Sequence, residues 1–161
     1  MQPVAVIEAD LERADHQQAV RDLIDAYARD PMGNGAPLNA AVKDALIPGL
    51  RAHPTTRIFL AYIGELAVGI AVCFVGFSTF AARPLLNIHD LAVLPGHRGA
   101  GVGRRLLAAV EEKALAMGCC KLTLEVLENN LRAMAVYAAA GFVQAVYQEA
   151  AGGALFFAKP L

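Results

Sequence analysis

Apolar and polar positions change period several times along the chain. "VAVIEA" (4–9) reads as a strand. Ala19, Val20, Leu23, Ile24 and Tyr27 recur at helical spacing, which predicts a helix opened by a cap at Asp15 with Gln18. Residues 29–38 are dense in turn formers, and a second helix is expected over about 39–52, interrupted near Pro48-Gly49. Residues 56–75 read as two strands about a tight turn at Gly64-Glu65, 76–84 as a loop, and 85–94 as a strand ended by Pro95-Gly96. Val102, Leu106, Val110, Ala114 and Met117 share one face of a helix over about 101–117, which Gly118 can stop in a left-handed cap. A strand over 120–127 follows, then a short helix from Asn129-Asn130 to Gly141. The tail reads as a hairpin turning at Gly152-Gly153.

This order predicts a mixed α/β (α+β) layer with helices against a central sheet, less regular than a doubly wound fold. The length suits one domain, 1–161. Apolar residues make up 57%, yet no run nears the roughly 20 residues of a membrane span. The first residues lack the basic segment and long apolar core of a secretory leader, so a cytoplasmic location is expected. A net charge of -1 argues against a broad nucleic-acid surface. Cys73, Cys119 and Cys120 form neither a disulfide framework nor a zinc spacing, and the four histidines show no ligand pattern. No metal is expected, and the thiols read as buried and inert. His16, His53 and His97 read as surface residues.

"GHRGAGVGRR" (96–105) stands between a strand and a helix. Backbone N–H groups there can converge on one anion, aided by the helix dipole, if Gly99, Gly101 and Gly103 leave the approach clear. Arg98, Arg104 and Arg105 can add charged contacts. The loop is not a P-loop, since Gly101 is followed by Val102. It is not G-x-G-x-x-G either, since Gly99 and Gly101 lead to Arg104. A turn that only lets the helix pack on the sheet is the competing reading.

Arg98, Gly101 and Gly103 make the pattern R-x-x-G-x-G directly after a strand. Downstream, "NNLRAMAVYAAAGF" supplies Asn130, Ala133, Tyr137, Gly141 and Phe142. Together these resemble the GCN5-related N-acetyltransferase (GNAT) superfamily, strongly over about 85–142. The segment around them resembles its diamine (spermidine/spermine) N-acetyltransferase branch. The resemblance implies a mostly antiparallel sheet of about seven strands, splayed in the middle and flanked by about four helices. It also implies an acetyl-CoA site. The main chain of Leu91, Ala92 and Val93 would pair with the pantetheine arm. Arg98, Gly99, Ala100, Gly101, Val102, Gly103 and Arg104 would hold the pyrophosphate, with Asn130, Ala133 and Tyr137 also near the cofactor. Members are often dimers, and the apolar tail "ALFFAKPL" allows a homodimer.

The implied reaction is acyl transfer to an amine in a ternary complex. With an amine pKa of about 10.4, only about one molecule in 10³ is neutral near pH 7, so a base is useful. His89 and Asp90 precede the cofactor strand and are the candidates, with Glu125 a third. Neighbouring strand residues face opposite ways, so only one of the pair should reach the cleft unless a bulge intervenes. Either can also be structural. Tyr137 falls where the family often places its general acid; packing is its other role. The diamine branch carries an acidic pair where His89-Asp90 stands, and the loop "GFSTFAAR" carries Arg83 and no acid. Both departures favour an amino-acid-like amine, its carboxylate on Arg83, over a polycation. Two other readings are a protein or peptide N-acetyltransferase and a non-catalytic acetyl-CoA-binding module.

Overall fold

The computed structural model describes residues 3–161 as two units, one running to Leu127 and the other comprising Glu128–Leu161. In the larger unit, β1 (Val4–Glu8), β2 (Thr56–Ile63), β3 (Leu66–Ser78), β4 (Arg83–Val93) and β5 (Leu122–Leu124) form a sheet in that order. The first three pairings are antiparallel, and β4–β5 is parallel. Helices α1 (Ala14–Arg29) and α2 (Ala40–Ala52) lie over one face, and α3 (Val102–Ala116) packs on the other.

Strand alternation sorts the core. Ile58, Leu60, Ile70 and Val72 point to one side and pack with Val20 and Leu23 of α1 and Ile47 of α2. Burying each such side chain is worth about 1.5–3 kcal/mol. On the other side α3 approaches β3 so closely that a Cβ on Gly69 would lie 2.9 Å from Val102 and 3.1 Å from Leu106. Glycine is therefore required there for contact.

Several boundaries differ from the sequence reading. Helix α1 begins at Ala14, behind an Arg13 that makes no side-chain cap; Asp15 sits in the first turn and pairs with Arg13 at 2.7 Å. Helix α2 runs through Pro48. The ring costs only the bond to the Asp44 carbonyl, and the helix closes beyond it with His53 N–H donating to Gly49 O. The hairpin β3–β4 extends to the pair Ser78–Arg83, so the 76–84 loop shrinks to four residues.

His16 is buried, correcting its surface assignment; its Nδ1 accepts the Asp10 N–H at 2.9 Å. Cys73 and Cys119 are buried as expected, and burial pushes the Cys73 thiol up to about 12.

The smaller unit carries α4 (Leu131–Ala139). Asn130 caps it, with Oδ1 accepting from Ala133 N–H at 3.3 Å, and Gly141 follows in a left-handed conformation (φ 89°). The expected terminal hairpin is one backbone bond, Ala154 N–H to Ala145 O, beside a 3-10 turn at Glu149–Ala151. Five strands are thus formed among the described residues, where about seven were expected. A single bond between facing segments is too little to make a ladder.

Candidate active site

Strand β4 shapes the site through two irregularities. Its pairing with β5 covers only Leu86–Ile88 opposite Leu122–Leu124, where Asn87 Nδ2 donates to Thr123 Oγ1 at 2.9 Å. Beyond Ile88 β4 continues to Val93 without β5, so the two strands part as the splay requires. Leu94 N–H donates to Val68 O on β3. By the alternation of an antiparallel ladder, Ala92 also bonds towards β3, while the main-chain groups of Leu91 and Val93 face the gap.

The second irregularity is a bulge. Val72 pairs with Asp90 and Cys73 with Ile88, leaving His89 as the extra residue. His89 meets the ring of Phe74 at 5.6 Å, and Phe74 packs against the core under α1 and α2. Asp90, opposite Val72, points to that same side. Strict alternation would have separated the two side chains; the bulge brings both to one face. Burial pushes the Asp90 carboxyl above its usual range, and His89 partly offsets this. Glu125 is exposed just beyond β5.

Tyr27 is the site residue that sequence reasoning missed. In the apolar stripe of α1 it read only as core. It lines a small crevice with Ala92, Val93 and Arg98. Its phenol is pushed up by burial and then by the charges of Asp90 and Asp30.

After β4 the chain makes a 3-10 turn, Pro95–His97, and reaches the glycine loop. Gly99 and Gly101 both have φ of 80°, which side chains rarely adopt. A Cβ on Gly99 would meet nothing within 4 Å, and one on Gly101 only Arg104 Nη2 at 3.5 Å. The glycines are therefore not there for packing. Gly101 caps α3 without a side chain, and the first bond at that end is Arg105 N–H to Gly101 O. The preceding N–H groups of Val102, Gly103 and Arg104 stand at the positive end of α3, a cradle that fits a pyrophosphate.

The arginines divide. Arg98 Nε donates to Val93 O at 2.9 Å, and its Nη2 pairs with Asp30. Arg105 Nη1 donates to Val4 O at 3.3 Å. Arg104 alone of the three leans over the loop. Arg83 donates from Nε and Nη2 to Gly118 O at 3.2 and 3.0 Å, closing the C terminus of α3. It is therefore committed to the scaffold and unsuited to a substrate carboxylate, a correction to the sequence reading. In the smaller unit Tyr137 is half-buried, its ring 6.0 Å from Phe142.

The acetyltransferase (GNAT) family model matches residues 18–142. The chain belongs to this family. Its members are acetyltransferases that use acetyl-CoA. Over 78 residues it is 38% identical to a thialysine N-epsilon-acetyltransferase of Bos taurus, a match covering 48% of this chain and 45% of that protein. The chain thus matches less than half the length of that relative. A streptothricin acetyltransferase of Streptomyces lavendulae is 35% identical over 120 residues, covering 70% of this chain and 61% of the relative. Solved GNAT structures share the fold. An aminoglycoside N-acetyltransferase in complex with CoA superposes with a TM-score of 0.73 at 18% identity, covering 100% of this chain and 97% of the other. An aminoglycoside acetyltransferase from a soil metagenome, in complex with sisomicin, gives 0.75 at 18%, covering 98% and 96%. Among the described residues no helix is long and apolar enough to cross a membrane.

Proposed function

We propose that the chain, as one domain over 1–161, moves an acetyl group from acetyl-CoA to a primary amine of a small molecule by direct attack in a ternary complex. The observation that carries this is the bulge at His89, which places an imidazole and a partly buried carboxylate side by side where β4 leaves β5.

When bound, acetyl-CoA supplies the acetyl thioester. The chain's residues do the rest. The N–H groups of Val102, Gly103 and Arg104, with Gly99, Ala100 and Gly101 open beside them, hold the pyrophosphate. Leu91 offers its main-chain groups to the pantetheine arm and Val93 its N–H, the Val93 carbonyl being held by Arg98; Ala92 is turned to β3 and contributes its position. Asp90, its basicity raised by burial, takes the proton from the acceptor amine, and His89 relays it outward. Tyr137, in the last turn of α4, gives a proton to the departing thiolate, and Asn130 and Ala133, at the start of that helix, serve the cofactor. A phenol near pKa 10 can do this while neutral at pH 7.

The chain is further proposed to act in the cytoplasm as a homodimer. Exposed Leu155, Phe156 and Phe157 in the tail support the dimer.

Two measurements test the activity. Acetyl-CoA should raise the melting temperature by mass action. A panel of free amines should then show thiol release above background for at least one member. Failure of both overturns the proposal.

A further inference from the structure

A cavity of about 830 Å³ opens between the start of α1, the end of α2 and the adjoining ends of β1 and β2. Its size is that of small-molecule sites, ~300–1,000 Å³. Three arginines reach its wall. Arg51 is held by both carboxylate oxygens of Glu12, at 2.6 and 2.7 Å. Arg57 donates to the Thr56 carbonyl at 2.7 Å and lies 3.9 Å from Glu8. Arg21 is half-buried, yet it has neither hydrogen bond nor ion pair among the described residues. The Thr56 hydroxyl, from the same wall, is buried without a partner among the described residues. A guanidinium partly withdrawn from water without a counter-charge, sharing a wall with an orphan hydroxyl, is completed by an anion.

The same wall leads to the residues proposed for acetyl transfer. His53 lines the cavity and meets the Phe74 ring edge-on at 4.9 Å; Phe74 in turn meets His89 at 5.6 Å. The two imidazoles are thus no more than 10.5 Å apart, the sum of these separations. An acceptor with an amine at one end and a carboxylate at the other can bridge from His89 into the cavity.

We infer that the cavity seats the carboxylate of the acetyl acceptor on Arg21 and Thr56, with the acceptor's chain across His53 and Phe74 and its amine at His89 and Asp90. The acceptor is then an amino acid acetylated on its side-chain amine, with Asp10 in the same wall as a counter-charge for the α-ammonium. This rests on the amine acetylation proposed above. Arg21 takes the role that Arg83, tied to α3, leaves open.

Steady-state kinetics at saturating acetyl-CoA, with lysine and with 1,5-diaminopentane, test it, because the diamine is the same chain without the carboxylate. The wild-type protein should prefer lysine. Arg21→Gln should raise the lysine KM at least tenfold, leave kcat and the acetyl-CoA KM near wild type, and leave the diamine values unmoved. Arg21→Lys should restore part of the loss, and Thr56→Val should raise the lysine KM by a smaller factor. A wild-type preference for the diamine, or an equal change for both acceptors, overturns the inference. If no amine is turned over, the parent reading fails instead. Calorimetric binding of lysine to the acetyl-CoA-loaded protein then decides the subsite: Arg21-dependent binding supports it, and binding that is absent or indifferent to Arg21 overturns it.

Discussion

Arg98 and Asp30, 68 positions apart in the chain, meet through Nη2 and Oδ2 at 2.5 Å. Asp30 also organises the turn after α1, where its carbonyl accepts from the N–H groups of Gly33 and Gly35 and its Oδ1 from that of Met32. The arginine of the glycine-loop pattern is therefore a strut between that loop and the α1–α2 turn. Arg98→Ala should lower stability by about 1–3 kcal/mol in urea denaturation, the scale of a charged hydrogen bond. It should weaken acetyl-CoA binding less than Arg104→Ala does. Equal stability and a larger loss of acetyl-CoA affinity for Arg98→Ala would sink the assignment.

Gly101→Ala forces a side chain into a left-handed conformation, at a cost of about 1–2 kcal/mol. It also puts a methyl group into the cradle. The melting temperature should fall modestly, and the further rise on adding acetyl-CoA should shrink or vanish. Gly96→Ala, at a position without left-handed φ and with nothing within 4 Å, is the control that should keep both.

Asp90→Asn should move activity and stability in opposite directions. As the base Asp90 must be ionised, so wild-type activity falls as pH drops through its raised pKa, and the substitution should cost about 10²–10⁴ in rate and remove that acid limb. Burial penalises the charged form, so the asparagine protein should be the more stable at pH 7. That advantage should disappear below about pH 4, where the aspartate is protonated in folded and unfolded chains alike. A pH–rate profile and thermal melts at pH 4 and 7 check both halves.

Tyr137→Phe should lower kcat while leaving the melting-temperature rise with acetyl-CoA in place. Unchanged kcat would remove the phenol from the mechanism and leave its contact with Phe142 as its role.

Asp25 gathers Lys43 at 3.0 Å, Arg29 at 2.9 Å and the Leu38 N–H, which hold its carboxyl down to about 2. A depressed carboxylate stabilises above its unfolded value and loses that contribution as pH falls through the folded one. Asp25→Asn should therefore lower the melting temperature at pH 7, and the difference should close between about pH 4 and pH 2.

Periodicity located α1, α3 and β2 through β4 because each buries one regular stripe, as Val20 and Leu23 do or Leu106 and Val110. The glycine loop was legible because positive φ and open space demand glycine itself. Less legible was anything that depends on a neighbour in space. Arg83 and Arg98 looked alike as basic residues near a cleft until Gly118 O and Asp30 claimed them. Tyr27 hid within an apolar stripe, and the bulge at His89 leaves no trace in the residues of β4 alone. The tail, with its glycine pair and aromatic run, carried hairpin signals but too few backbone bonds to realise them.

The extra residue in β4 inverts the parity of the strand. Up to Ile88 even-numbered side chains share the α3 side, and from Asp90 onward they share the opposite one. A single-residue deletion at position 89 would make the ladder regular, leaving Ile88 opposite Cys73 and Asp90 opposite Val72, so that Asp90 and every later residue keep their side and only the imidazole beside the carboxylate is lost. His89-Asp90 is therefore portable to another scaffold only together with the Val72–Cys73 step that accommodates it.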